Sequence, residues 1–282
     1  MPFDFAATGI GSVPFLDVEK TCRPHEDMTA QFSEGLPFLT LKNDQRTLVL
    51  SSRDIEADLT AFYDLFLTED PHHFTVSRAY APGLYEMIEI VRENPESSGA
   101  YLKGQTVGPV TFAAGIGDRD GKPILHHPDL AEAAAKALAV RALWQVKELG
   151  RSGKRAIIFL DEPYLSGFGS AFLPVQRQEV IGLIKEVINY LRERSDALIG
   201  IHCCGNTDWP MIIETGPDII SFDAFSYMDY FLLYPEEIGG FLERGGNIAW
   251  GIVPTLVFTG KETWKASFPS FKRDWTESRR GA

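Results

Sequence analysis

The chain has 282 residues, 44% of them hydrophobic and 23% charged, with a formal charge of -12 and a pI near 5.0. Such an acidic surface repels phosphate backbones and anionic lipid, which argues against nucleic-acid and membrane-surface roles. No apolar run approaches the roughly 20 residues needed to span a bilayer, and Met1-Pro2-Phe3-Asp4-Phe5 lacks the charged start and apolar stretch of a secretory signal. Three cysteines, two of them adjacent, make a poor disulfide framework, so the reducing cytoplasm is the expected compartment.

Short apolar runs alternate with longer amphipathic stretches, the pattern of repeated βα units around a parallel sheet. A first strand is expected at Ala6–Ile10, closed by the corner Gly9-Ile10-Gly11-Ser12-Val13-Pro14. Leu36–Leu41 and Thr47–Ser51, joined by Lys42-Asn43-Asp44-Gln45-Arg46, read as a hairpin, and Asp54–Phe66 as a helix. Further strands are expected at Ala100–Lys103, Ala156–Leu160, Ala197–His202, Ile219–Phe222 and Ile248–Ile252.

The helices between them are clearer. One opens at Pro128, where a missing N–H costs nothing, carries Ala133, Ala137, Val140 and Trp144 at helical spacing, and closes at Gly150. A second places Val180, Ile184, Ile188 and Leu191 on one face. A third runs from about Thr207 to Gly216, and a fourth follows Pro235. The length suits a single α/β domain of the TIM (β/α)8 barrel type, which commonly takes about 250 residues. The tail from about residue 265 to 282 lacks apolar periodicity, so the last βα unit of such a barrel is expected to be missing or altered.

Barrel enzymes carry their chemistry on the C-terminal ends of the strands. There, His202 and Cys204 stand two residues apart in Ile201-His202-Cys203-Cys204-Gly205-Asn206, and alternation points them the same way while Cys203 points away. An imidazole and a thiolate converging at a strand end supply two zinc ligands; the competing reading is a pair of buried cysteines beside a satisfied histidine. Asp161-Glu162-Pro163 ends another strand with adjacent carboxylates, suited to gripping an ammonium, binding a metal or acting as a general base, or else to capping the next helix. Asp223 ends the strand after that of His202. Gly104-Gln105-Thr106-Val107-Gly108-Pro109-Val110-Thr111 reads as a corner permitting close backbone approach. The pairs His72-His73 and His126-His127 read as surface residues.

Taken together, the corners Gly9–Pro14, Gly104–Thr111, Asp161-Glu162-Pro163, His202–Asn206 and Ile219–Asp223 resemble the catalytic barrel of the cobalamin-independent methionine synthases. The His-x-Cys-Gly-Asn segment is also similar to the related uroporphyrinogen decarboxylase-like methyltransferases. The resemblance covers roughly residues 5–255. It implies a zinc-dependent methyltransferase acting on a small thiol such as homocysteine, with a folate or a methyl-corrinoid protein as methyl donor. On this resemblance His202, Cys204 and Asp223 are the metal ligands and Asp161 grips the substrate's amino group. Ile10, Gly11 and Ser12 bind its carboxylate, and Asp161 and Glu162 are the catalytic carboxylates. No cysteine follows Cys204, so the family's second zinc cysteine has no counterpart. The rival readings are a metal-free decarboxylase-like barrel and a degenerate barrel that binds without turnover.

Overall fold

The computed structural model describes residues 27–41, 48–50, 54–97, 99–171 and 173–253. Within them the chain is a mixed α/β structure whose centre is a parallel sheet of five strands: β3 (Tyr101–Val107), β4 (Arg155–Asp161), β5 (Leu198–Cys203), β6 (Ile219–Phe222) and β7 (Asn247–Trp250). Their order in the sheet is their order in the chain. The described strands do not close into a barrel. The expected strand Ala6–Ile10 and the tail from about residue 265 lie outside the described residues. The expected hairpin is present as the antiparallel pair β1 (Leu39–Leu41) and β2 (Leu48–Leu50).

Each parallel connection needs a crossover, and crossovers are right-handed. With the strands in sequential order, that handedness lays the connecting helices on one face and leaves an inner face opposite. The principal helices of the described region are α1 (Ile55–Phe66), α2 (Pro82–Glu93), α3 (Pro109–Gly115), α4 (Pro128–Gly150), α5 (Arg177–Arg194), α6 (Trp209–Thr215), α7 (Ala224–Phe231) and α8 (Pro235–Glu243). Their ends are set locally. Asp54, Asp208 and Asp223 accept backbone N–H bonds at the starts of α1, α6 and α7, Gln176 and Glu179 form a capping box on α5, and Gly216 ends α6 in the left-handed region.

The core lies between α4, α5 and the helix-covered side of the sheet. Ala133, Ala137, Val140 and Trp144 are all buried, as their helical spacing requires, and so are Ile158, Leu160, Ile199, Ile201 and Cys203 from the strands. Gly104 lies within β3, and a Cβ there would meet Gln145 Oε1 at 2.8 Å, so its bareness lets α4 lie close on β3. Arg141, fully buried on α4, donates to the Glu34 carbonyl, while the Glu34 carboxylate accepts Ser77 N–H at 2.7 Å. This ties the segments before α1 and α2 to the central helix.

Candidate functional site

Parallel register decides which side chains meet at the strand ends. Val107, Asp161, His202, Ser221 and Ala249 are successive register partners across β3, β4, β5, β6 and β7. Side chains alternate, and Ile158, Leu160, Ile201, Cys203 and Phe222 are buried on the helix side. The row containing Asp161, His202 and Ser221 therefore faces inward, with all three half-buried. His202 Nδ1 lies 3.1 Å from Ser221 Oγ, which fixes the ring and turns Nε2 away from β6. Burial raises the Asp161 carboxyl above its ordinary value, and the charges of Lys103 and His202 hold it back.

A second charge lies lower on the same face. The Lys103 ammonium is hydrogen-bonded to Gln105 Oε1 at 2.8 Å and stands 4.9 Å over the Phe159 ring. Desolvation lowers its pKa, while Asp161 acts to raise it. Phe159 is able to lie flat here because its register partner on β5 is Gly200, where a Cβ would come within 2.5 Å of the ring. Gly200→Ala should therefore cost about 1–3 kcal/mol through overpacking and push Phe159 off its position. Urea unfolding measures the loss; a change below 0.5 kcal/mol, about the scale of a neutral surface substitution, would show that the ring has room to move.

The two adjacent carboxylates separate in role. Glu162 points to the helix side and is completely buried. Its Oε1 accepts Val110 N–H at 2.9 Å, and its Oε2 accepts Thr111 N–H at 2.8 Å and Thr111 Oγ1–H at 2.6 Å. Thr111 Oγ1 in turn accepts Tyr164 N–H at 3.2 Å. Glu162 thus caps α3, a helix earlier in the chain rather than the one that follows it. A side chain at Gly108 would overlap the Glu162 carboxyl, so the glycine is required by this close approach. With both oxygens spent on α3, Glu162 joins two strand-end corners, and its expected catalytic role gives way to a structural one.

The three expected metal ligands do not form one group. His202 faces inward with Nδ1 engaged by Ser221, and Cys204 is exposed just beyond the end of β5. Cys203 is buried on the helix side, and that burial pushes its thiol up to about 12, so it stays protonated. Asp223 Oδ1 accepts Ser226 N–H at 3.2 Å as the cap of α7. Among the described residues, no three His, Cys, Asp or Glu side chains form a group able to hold a metal ion. His202 and Cys204 are two soft donors at one strand end, half the set that a structural zinc takes. The expected substrate corner Ile10, Gly11 and Ser12 lies outside the described residues.

Three inner-face residues escape a reading of the sequence. Ending the strand at Lys103 hides the fact that Lys103 and Gln105 share a face, which the full strand to Val107 makes plain. Ser221 is the one hydroxyl within the apolar run Ile219–Phe222, one strand from His202, and that is the signal that marks it.

No protein-family model matches the chain, and no curated protein matches it. One solved structure with a detectable similarity is a B12-independent methionine synthase from Shewanella sp. W3-18-1 in complex with selenomethionine. The similarity is 22% in identity with a TM-score of 0.38, covering 59% of this chain and 49% of that one, so the match spans about half of that protein's length.

Proposed function

We propose that the protein is a methyltransferase that moves a methyl group from a folate or a corrinoid carried by a partner protein to a small thiol amino acid such as homocysteine. The observation that carries this reading is the inward row Asp161–His202–Ser221 at the C-terminal ends of three adjacent parallel strands. Asp161, half-buried and with no described side-chain hydrogen bond of its own, accepts the substrate's ammonium. Ser221 holds His202 by Nδ1 and so aims Nε2 at the site. In the transfer itself the thiolate sulfur forms the new bond to the methyl carbon, and the donor leaves with the electron pair of the broken bond.

Zinc is part of the proposal, with His202 and Cys204 as the two ligands the described residues offer. When bound, the metal lowers the thiol pKa so that thiolate exists at neutral pH. The test joins elemental analysis of protein purified without chelator to a mass-spectrometric assay of homocysteine methylation with methyltetrahydrofolate or methylcobalamin. About one zinc per chain is expected, with metal and turnover both lost in His202→Ala and Cys204→Ala, turnover by about 100-fold or more. Undiminished methylation in those variants overturns the reading; methylation that persists in metal-free protein removes zinc from it.

A further inference from the structure

A cavity of about 250 Å³ lies beside the edge of β3 that has no strand partner among the described residues. It is set between β3, α2, α4 and the turn Ala30–Ser33. Lys103 and Gln105 line it from β3, four and two residues before Val107, so it lies apart from the inward row at the strand ends. The ladder to β4 starts with Arg155 N–H on the Ala100 carbonyl and ends with Gly108 N–H on the Asp161 carbonyl. Pairing therefore runs through the even-numbered residues of β3, and the backbone N–H and C=O groups of Lys103 and Gln105 turn to the free edge. There the Gln105 carbonyl accepts an N–H from the buried Gln145 side chain at 3.0 Å.

The walls are of two kinds. Phe32, Val76, Leu84, Met87 and Trp144 make an apolar lining. Against it stands the Lys103 ammonium, whose one hydrogen bond goes to the neutral Gln105 Oε1, leaving two of its three N–H donors free. Helix α2 also starts at the cavity, where Gly83 and Leu84 line it. Its N-cap is Ala81, which has no side chain to accept from the first turn, so the positive end of the helix is left uncapped. Among the described residues, no carboxylate lines the cavity, although the chain carries a net charge of -12. A molecule with an apolar body and one negative charge complements both walls. The volume is that of about eight waters at roughly 30 Å³ each, enough for an acid of the size of hexanoate.

We propose that this cavity binds a small apolar carboxylic acid as its anion, with the hydrocarbon against Met87 and Trp144 and the carboxylate on Lys103 at the start of α2. The site stands whether or not the chain transfers methyl groups.

Methyl NMR of the full chain, labelled at its five methionines, reads the cavity directly because Met87 lines it. The Met87 signal, identified by its loss in Met87→Leu, should move on titration with hexanoate. The signal of Met211, fully buried in α6, should stay in place. Lys103→Gln should weaken hexanoate by about tenfold or more and leave the uncharged hexan-1-ol unchanged. Lys103→Arg should keep most of the affinity, and hexylamine, with the opposite charge, should not compete. A Met87 signal that hexanoate leaves unmoved, hexanoate affinity undiminished in Lys103→Gln, equal weakening of hexan-1-ol, or hexylamine binding as tightly as hexanoate overturns the site.

Discussion

Glu162→Ala should destabilise the protein by about 3–5 kcal/mol, a large share of the 5–15 kcal/mol that holds a typical domain together. The change strands three donors, Val110 N–H, Thr111 N–H and Thr111 Oγ1–H, in a fully buried site. Each buried donor left unsatisfied costs about 1–3 kcal/mol, partly relieved by local relaxation. Urea unfolding at neutral pH measures the total, and a loss below 1 kcal/mol would show that α3 does not depend on this cap.

The same residue predicts a pH dependence with a definite sign. Burial raises the Glu162 carboxyl from its ordinary 4.5 to about 7, against the pull of the donated hydrogen bonds. Between those two values the folded chain holds more protons than the unfolded one. Its contribution to stability is therefore complete below about pH 4.5 and is lost as the pH rises through 7. At 1.36 kcal/mol per unit the loss is about 3 kcal/mol. Glu162→Gln does not titrate, so the stability of the native chain relative to this variant should fall by that order between pH 5 and pH 8. An identical difference at both pH values would refute the assignment.

Trp209→Ala carries the second large effect, about 3–5 kcal/mol. Trp209 opens α6 and is almost wholly buried. Its ring centroid lies 5.1 Å from Phe222 on β6 and 5.3 Å from Phe231 on α7, and those two rings stack at 4.5 Å. Trp250 on β7 packs against both phenylalanines at 5.5 and 5.8 Å. This cluster seats two helices on the last two described strands. Trp209 Nε1 also donates to Asn206 Oδ1 at 3.1 Å, anchoring the loop just past Cys204. Trp209→Phe should recover more than half of the loss while leaving Asn206 unanchored. Equal losses for both variants, measured by urea midpoint, would place the effect in the hydrogen bond rather than the packing.

The parallel strands were legible because buried strands read as runs of Ile, Leu and Val, as at Ile157–Leu160 and Ala197–Ile201. Glycine and proline hide the rest. Gly104 and Gly108-Pro109 read as a loop, yet Gly104 lies within β3 as a packing contact with α4, and Pro109 opens α3. Helix α7 leaves no signal, because Ala-Phe-Ser-Tyr-Met-Asp-Tyr-Phe has too few polar residues to show a face. At the site, alternation alone separated His202 from Cys203 and Asp161 from Glu162. It could not show that Glu162 caps a helix some 50 residues earlier in the chain, or that Asp223 is spent on its own helix, because both depend on tertiary neighbours.

Each strand contributes a single residue to the inward row, while the positions on either side of it face the helices. Reactivity and cohesion are thereby entrusted to different residues of the same strand. A substitution at Ser221 or at Ala249, its partner on β7, alters what the site offers without disturbing the apolar contacts of Ile220, Phe222 or Trp250. The scaffold can in this way exchange one chemistry for another a residue at a time.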